Sequence, residues 1–423
     1  MARDTDKQGR PIVVITGLGV QTSLGQGLAD NWAALTAGKT GIKRLTRFPI
    51  ECLKTTFAGT IDDIALPEWT ASGLTELLAE LAIEEALADS GLGRPGAFPG
   101  PLFLAMPPVE IEWPMRTALM RESGDTTYAG LLREASKGNH RAWHERNLFS
   151  AIPEHLADRF GTTGSPIAIN TACASGASAL QVALEALRRG EAEAAICAGT
   201  DASVTQEALI RFSLLSALST RNDTPQTASR PFSGDRDGFV MAEGAGALIV
   251  ETLAHARARG ATILGVLEGA GEKADSFHRT RSSPDGKPII ETLTRALADA
   301  GVTAGEIGYI NAHGTSTPEN EKIEWHCVAT VFGERASRLP ISSNKSMIGH
   351  TLSAAGAVEA VFTVKTLREG LIPPTINYVT PDPTIPIDCV PNTARRADVF
   401  RAMSNSFGFG GQNVSLVIAR EPV

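Results

Sequence analysis

The sequence predicts a layered α/β fold made of two similar halves, and three observations carry that expectation. Apolar, β-branched runs recur along the chain, each closed by glycine and followed by a stretch of helical composition. The order of strand, glycine turn and helix begins again after residue 257, which predicts an internal duplication. At 423 residues the chain is longer than one ordinary core fills. The expected division is a loose tail over 1–10, an N-terminal half over 11–257 and a C-terminal half over 258–423.

Residues 11–19, PIVVITGLG, read as a buried strand before a glycine turn. Gly17 and Gly19 begin a dinucleotide-binding pattern, but Thr22 stands where its third glycine is required, so the pattern is incomplete. Helices are expected over 28–36 and 78–89, and a short strand over 102–105. Residues 113–148 differ in composition: eight arginines, lysines and histidines are interleaved with Trp113, Tyr128 and Trp143 and partly offset by four acids. Such an insert is either a solvated helix–loop segment or a docking surface for an anionic partner.

The chain is organised around residues 166–199, PIAINTACASGASALQVALEALRRGEAEAAICAG. A buried strand is expected over 166–170, and Cys173 opens a helix over 174–189 that Gly190 stops. A thiol at a helix start faces the positive end of the dipole and unpaired N–H groups, which favours its thiolate. Cys173 is therefore the candidate nucleophile; the alternative is a small buried cysteine in a tight turn.

In the C-terminal half, residues 307–317, IGYINAHGTST, form a strand ending at His313. Residues 339–349, LPISSNKSMIG, lead through Lys345 to His350 and an apolar helix over 352–367. Residues 401–419 form a hairpin whose tip, FGFGGQ, is conformationally unusual because glycines alternate with Phe407 and Phe409. In layered α/β folds strand ends gather on one edge, so these distant residues can converge. A thiolate, two imidazoles and an ammonium suit acyl transfer on thioesters. Each histidine taken alone is as readily a satisfied core residue. Glu359 is the sole carboxylate of an apolar stretch and needs a compensating partner, either a polar neighbour or a cation.

Composition narrows the function classes. A net charge of −8 with no strongly basic domain argues against nonspecific nucleic-acid binding. The first residues, MARDTDKQGR, lack the apolar segment of a signal peptide. Residues 161–184 carry no charge, but Asn170, Thr171 and Ser175 interrupt them, which indicates core and no membrane span. Five cysteines, an odd number without a CxxC pair, point to a reducing compartment, the cytoplasm, with neither disulfide framework nor zinc site.

TACASG, NAHGTST, KSMIGH and SNSFGFGG, with VVITGLGV at the start and SRPFSGDRDGFVMAEGAG in the middle, resemble the elongating β-ketoacyl-acyl-carrier-protein synthases of the thiolase fold. The motifs run in order from residue 13 to residue 411. The resemblance implies five alternating layers, α-β-α-β-α, a homodimer, and acyl- and malonyl-loaded carrier proteins as partners. It makes Cys173 the acyl-accepting nucleophile, and His313 and His350 the pair that binds malonyl-carrier and stabilises its enolate. Lys345, with Glu324, would hold the histidine and carboxylate network. The N–H groups of Cys173 and Phe409 would form the oxyanion hole, Phe409 would act as a gate, and Phe407 would support it. No organic cofactor is implied; a structural monovalent cation is, at Asn311, Glu359, Ser404 and Asn405.

The chain departs from that family at three points. Residues 69–78, WTASGLTELL, lack the basic residues that dock the carrier in relatives, and Ser216 replaces another. This predicts a specialised carrier and very long acyl chains, with the insert supplying replacement contacts. Glu321 stands where relatives carry aspartate, which puts a loop contact at issue. Within the fold, a degradative thiolase would need a second cysteine base and a priming enzyme an asparagine where His350 stands. A chain-length-setting partner subunit would lack Cys173. A cysteine hydrolase would need a group orienting a general-base histidine.

Overall fold

A computed structural model describes residues 4–66, 69–93 and 96–422. Its spine is ten strands: β1 (Val13–Thr22), β2 (Leu102–Ala105), β3 (Ile167–Ile169), β4 (Ala194–Asp201), β5 (Gly244–Thr252), β6 (Gly265–Glu272), β7 (Tyr309–Asn311), β8 (Ile341–Ser342), β9 (Arg401–Phe407) and β10 (Asn413–Ala419). Their order is β8-β7-β9-β10-β6-β1-β5-β4-β2-β3. Outward from the β1/β6 junction, each half lays down its first, fifth, fourth, second and third strand. The first two pairings of each half are antiparallel and the outer two parallel. In the sheet, β1 and β6 pair through two register positions, Val14 with Val266 and Ile15 with Gly265.

The helices are α1 (Gly27–Thr36), α2 (Ala71–Ser90), α3 (Trp113–Ser123), α4 (Tyr128–Ala135), α5 (Arg141–Arg146), α6 (Ala151–Phe160), α7 (Ser175–Arg188), α8 (Gln206–Leu214), α9 (Leu253–Ala258), α10 (Lys287–Ala300), α11 (Asn320–Phe332), α12 (Lys345–Ile348) and α13 (Ala355–Glu369). The long ones sort into layers. α2 covers the outer face of β1, β5 and β4, while α10, with α11 beside it, covers the outer face of β6 and β10. Between the halves lie α7, against β4 and β2, and α13, against β5 and β9. The result is the expected α-β-α-β-α stack. The central helices share one core, in which Leu180 and Leu184 of α7 and Val361 and Phe362 of α13 are almost wholly buried.

Several elements differ from the sequence-based expectation. α2 begins at Ala71, seven residues early, because Thr70 caps it by accepting the Gly73 N–H. Leu74, Thr75 and Leu78 are buried, so most of residues 71–78 forms core. The strand expected over 166–170 is the three-residue β3 at the sheet edge; with a neighbour on one side only, its Ile167 is 44% exposed. The tail is not loose over its described part. Asp4 pairs with Arg257, Asp6 with Arg10, and Arg10 with Asp299 at 2.5 Å, fastening it to α9 and α10. Met1 to Arg3 lie outside the described residues.

The insert folds into α3, α4 and α5. Many of its cations are satisfied by nearby acids: Arg116 by Glu110, Arg133 by Asp125, Lys137 by Glu134, Arg141 by Glu145 and Arg146 by Glu76. That leaves little free positive charge for an anionic partner.

Candidate active site

The turn that presents Cys173 is set by its neighbours. Ser175 Oγ accepts the Thr171 N–H at 2.8 Å and donates to the Ala172 carbonyl at 2.6 Å. This holds Ala172 at φ +50°, a left-handed conformation that costs a non-glycine residue energy and marks a functional turn. Cys173 follows, 9% exposed, just ahead of α7. Gly176 in the first turn of α7 lets α13 approach: a Cβ there would lie 2.4 Å from the Ala357 nitrogen.

From the other half, β7 carries His313 at its end and α12 delivers His350 just beyond its own. The Cys173 sulfur and one ring nitrogen of each histidine lie within 4.8 Å of one another. The imidazoles stand edge to face, with centroids 5.4 Å apart. Phe407 packs edge-on against His313, and Phe239 against His350.

Burial holds both imidazoles well below their ordinary value of 6.5, and the Lys345 ammonium pushes the same way. Both rings are therefore neutral near pH 7. The His350 Nδ1 accepts the Leu352 N–H at 3.2 Å, so its proton is on Nε2, which has no protein partner. The Lys345 Nζ lies 3.5 Å from the His313 Nδ1; an ammonium can only donate, so His313 also keeps its proton on Nε2. Both rings are thus neutral donors with the proton on Nε2.

The thiol itself departs from expectation. Burial pushes Cys173 up to about 11, opposed by the Phe409 N–H reaching its sulfur and by the Lys345 charge. Burial thus works against the thiolate that the helix start favours.

Lys345 is also re-partnered. Its ammonium forms an ion pair with Glu359, both side chains 1% exposed, which supplies the compensation that the buried carboxylate requires. Burial still raises Glu359 to about 7, against the opposing pull of Lys345. Glu324 serves the backbone instead, accepting the N–H groups of His313 and Gly314 at 2.9 Å each and the Asn405 amide at 3.3 Å. It fixes His313 through the main chain. Glu321 makes its loop contact despite the longer side chain, accepting the Ser316 N–H at 2.6 Å and facing Arg236.

Of the four residues considered for a cation, three share a face. Asn311 and Ser404 are register partners on parallel β7 and β9, and the Asn311 amide donates to the Glu359 carbonyl. The Asn311 Oδ1, Glu359 Oε2 and Ser404 Oγ are all buried without a partner, a donor set of hard oxygens that fits a monovalent cation. The Asn405 side chain points to the opposite face, bonded to Glu324 and Ser415, so it would take part only through its backbone carbonyl.

Two cavities meet at the sulfur. One of about 410 Å³ is lined by both histidines, Phe407 and Thr315; a second of about 390 Å³ is lined by Asp201, Ala208 and Pro108. Cys173, Phe212, Leu352 and Phe409 border both, so the β9–β10 tip is the partition. Its Gly411, at φ +86°, lies against the Asp275 carbonyl with no room for a Cβ. Phe212, Phe239 and Asp275 were not singled out from sequence; Phe212 sits on α8, whose Ile210 and Leu214 are exposed, so helical periodicity pointed away from it.

Comparison with known proteins agrees over nearly all of the chain. Residues 10–256 match the model of the β-ketoacyl synthase N-terminal domain and residues 264–379 that of its C-terminal domain. The 3-oxoacyl-[acyl-carrier-protein] synthase 2 of Coxiella burnetii is 37% identical over 96% of this chain and 98% of its own length. The protein of the same name from Synechocystis is 36% identical with the same coverage. Among solved structures, a β-ketoacyl synthase from Burkholderia phymatum superposes with a TM-score of 0.83 at 33% identity, covering 97% of this chain and all of that one. A type II polyketide ketosynthase in complex with its acyl-carrier protein gives 0.84 at 31% identity, with the same coverage.

Proposed function

Because the chain belongs to the β-ketoacyl synthase family, we propose that it condenses an acyl group held on Cys173 with malonyl-acyl-carrier-protein, as a 3-oxoacyl-acyl-carrier-protein synthase of fatty acid elongation. The observation that carries this is the meeting of one sulfur and two neutral imidazoles within 4.8 Å.

The Cys173 sulfur attacks the acyl thioester carbonyl, and the backbone N–H groups of Cys173 and Phe409 take the oxyanion. The carrier leaves as its thiol, carrying away the proton that Cys173 gives up. Malonyl-carrier then enters, its thioester oxygen held by the Nε2–H groups of His313 and His350. Two donors on one oxygen stabilise the enolate formed as carbon dioxide departs, and no proton transfer to the rings is required. The enolate carbon attacks the acyl-Cys173 carbonyl; collapse expels the cysteine sulfur, which takes up a proton from solvent, and releases β-ketoacyl-carrier. Lys345 acts by position, its charge keeping the His313 proton on Nε2.

The buried oxygens of Asn311, Glu359 and Ser404 support a structural monovalent cation. The open edge of β3, with Ile167 exposed, supports a homodimer. A specialised carrier is supported by Ser216, which stands where relatives carry a basic residue. Five unpaired cysteines support a cytoplasmic setting. Among the described residues no helix is long and apolar enough to cross a membrane.

Intact-mass measurement after incubation with acyl-carriers of graded length tests the proposal. One acyl increment per chain, absent from Cys173→Ala, is expected; an increment on another residue would overturn it.

A further inference from the structure

A substrate delivered on a carrier's prosthetic arm can reach Cys173 only if the carrier seats at the mouth of a cavity that holds the sulfur. The rim of the larger cavity has a distinctive composition. Phe277 is 54% exposed on it, and Arg281 and Lys322 line it, with Arg279 exposed nearby on the same loop. None of these three cations has an ion-pair partner among the described residues, in contrast to the paired arginines of α3–α5. Glu319 is the one carboxylate on that lining.

The loop is also rigidly displayed. The Asp275 carboxylate accepts the N–H groups of Phe277 at 2.9 Å and Ser283 at 2.7 Å, so the loop between them is closed on one side chain. A chain of net charge −8 repels an acidic partner over most of its surface, which makes a fixed cluster of unpaired cations a preferred landing point. An exposed aromatic ring among cations suits an acidic surface that offers one apolar side chain.

We propose that the carrier protein docks by an acidic surface on the 275–284 loop, through Arg279, Arg281 and Lys322 around Phe277. This rests on the acyl-transfer reading above and replaces the insert as the docking surface.

The test compares the Arg279→Glu variant with the unaltered enzyme, using octanoyl-acyl-carrier-protein and octanoyl-pantetheine as acyl donors. The variant is expected to raise KM for the carrier-bound donor about tenfold or more, with the pantetheine donor unaffected and the salt dependence flattened. An unchanged KM for the carrier, or an equal loss with both donors, would overturn the docking surface. So would a rise in KM confined to Arg121→Glu/Arg133→Glu in the insert. Failure of the unaltered enzyme to take an acyl group from pantetheine counts against the acyl-transfer reading. Equal carrier kinetics in enzyme and variant count against the docking surface alone.

Discussion

Gly176 and Gly356 occupy reciprocal places where α7 and α13 cross. A Cβ on Gly176 would stand 2.4 Å from the Ala357 nitrogen, and one on Gly356 would stand 2.4 Å from the Ala177 nitrogen. Each helix thus approaches until only hydrogen fits, and this contact brings the cysteine helix against the segment that follows His350. Alanine at either position forces the helices apart. A loss of about 1–3 kcal/mol in denaturant unfolding is expected, with a larger fractional loss of acylation than in a peripheral variant of equal stability. Unchanged stability for both alanine variants would show that the crossing is looser than described.

The elevated thiol predicts an unusual alkylation profile. Iodoacetamide should modify Cys173 at a rate that keeps climbing toward about 11, since the thiolate fraction grows across that whole range. A plateau near the ordinary thiol value of about 8.5 would show that burial does not govern the sulfur.

The two depressed imidazoles predict the opposite edge of the pH profile. Decarboxylation of malonyl-carrier should stay level as pH falls through 6.5, because His313 and His350 are still neutral there. Stability behaves differently: unfolded histidines gain protons below about 6.5 that the folded ones refuse, so folding should weaken progressively on acidification. A decarboxylation rate that halves near 6.5 would contradict the neutral pair.

The buried ion pair gives an asymmetric mutational prediction. Lys345→Met strands the Glu359 carboxylate and should cost about 3–5 kcal/mol of stability, whereas Lys345→Met with Glu359→Gln should recover much of it. Equal destabilisation of the single and double variants, measured by urea unfolding, would show that the pairing is not what matters.

Replacing the nucleophile separates the two half-reactions. Cys173→Gln should lose condensation yet retain decarboxylation, because the glutamine amide can occupy the acyl side while both Nε2–H donors persist. Carbon dioxide release and ketoacyl formation, measured together, check this; condensation surviving in the variant would refute the covalent step.

Much of this was legible in the sequence because it depends on local pattern. Apolar runs ending in glycine located nearly every long strand, and the cysteine turn and FGFGG tip declared themselves by composition. What stayed hidden depends on contacts between distant segments. Lys345 and Glu359 are 14 residues apart on different helices, and nothing in their spacing favours that pairing over Lys345 with Glu324. The thiol's elevation likewise follows from burial by both halves, which the helix start alone does not reveal. The fastened tail depends on Asp299, some 290 residues from Arg10.

The repeated strand order carries a consequence for how the enzyme works. The sulfur belongs to one half and the imidazoles to the other, brought together where α7 and α13 pack between them. Each half supplies part of the chemistry: one forges the covalent link and the other manages negative charge. Neither is self-sufficient, and the reaction belongs to their partnership.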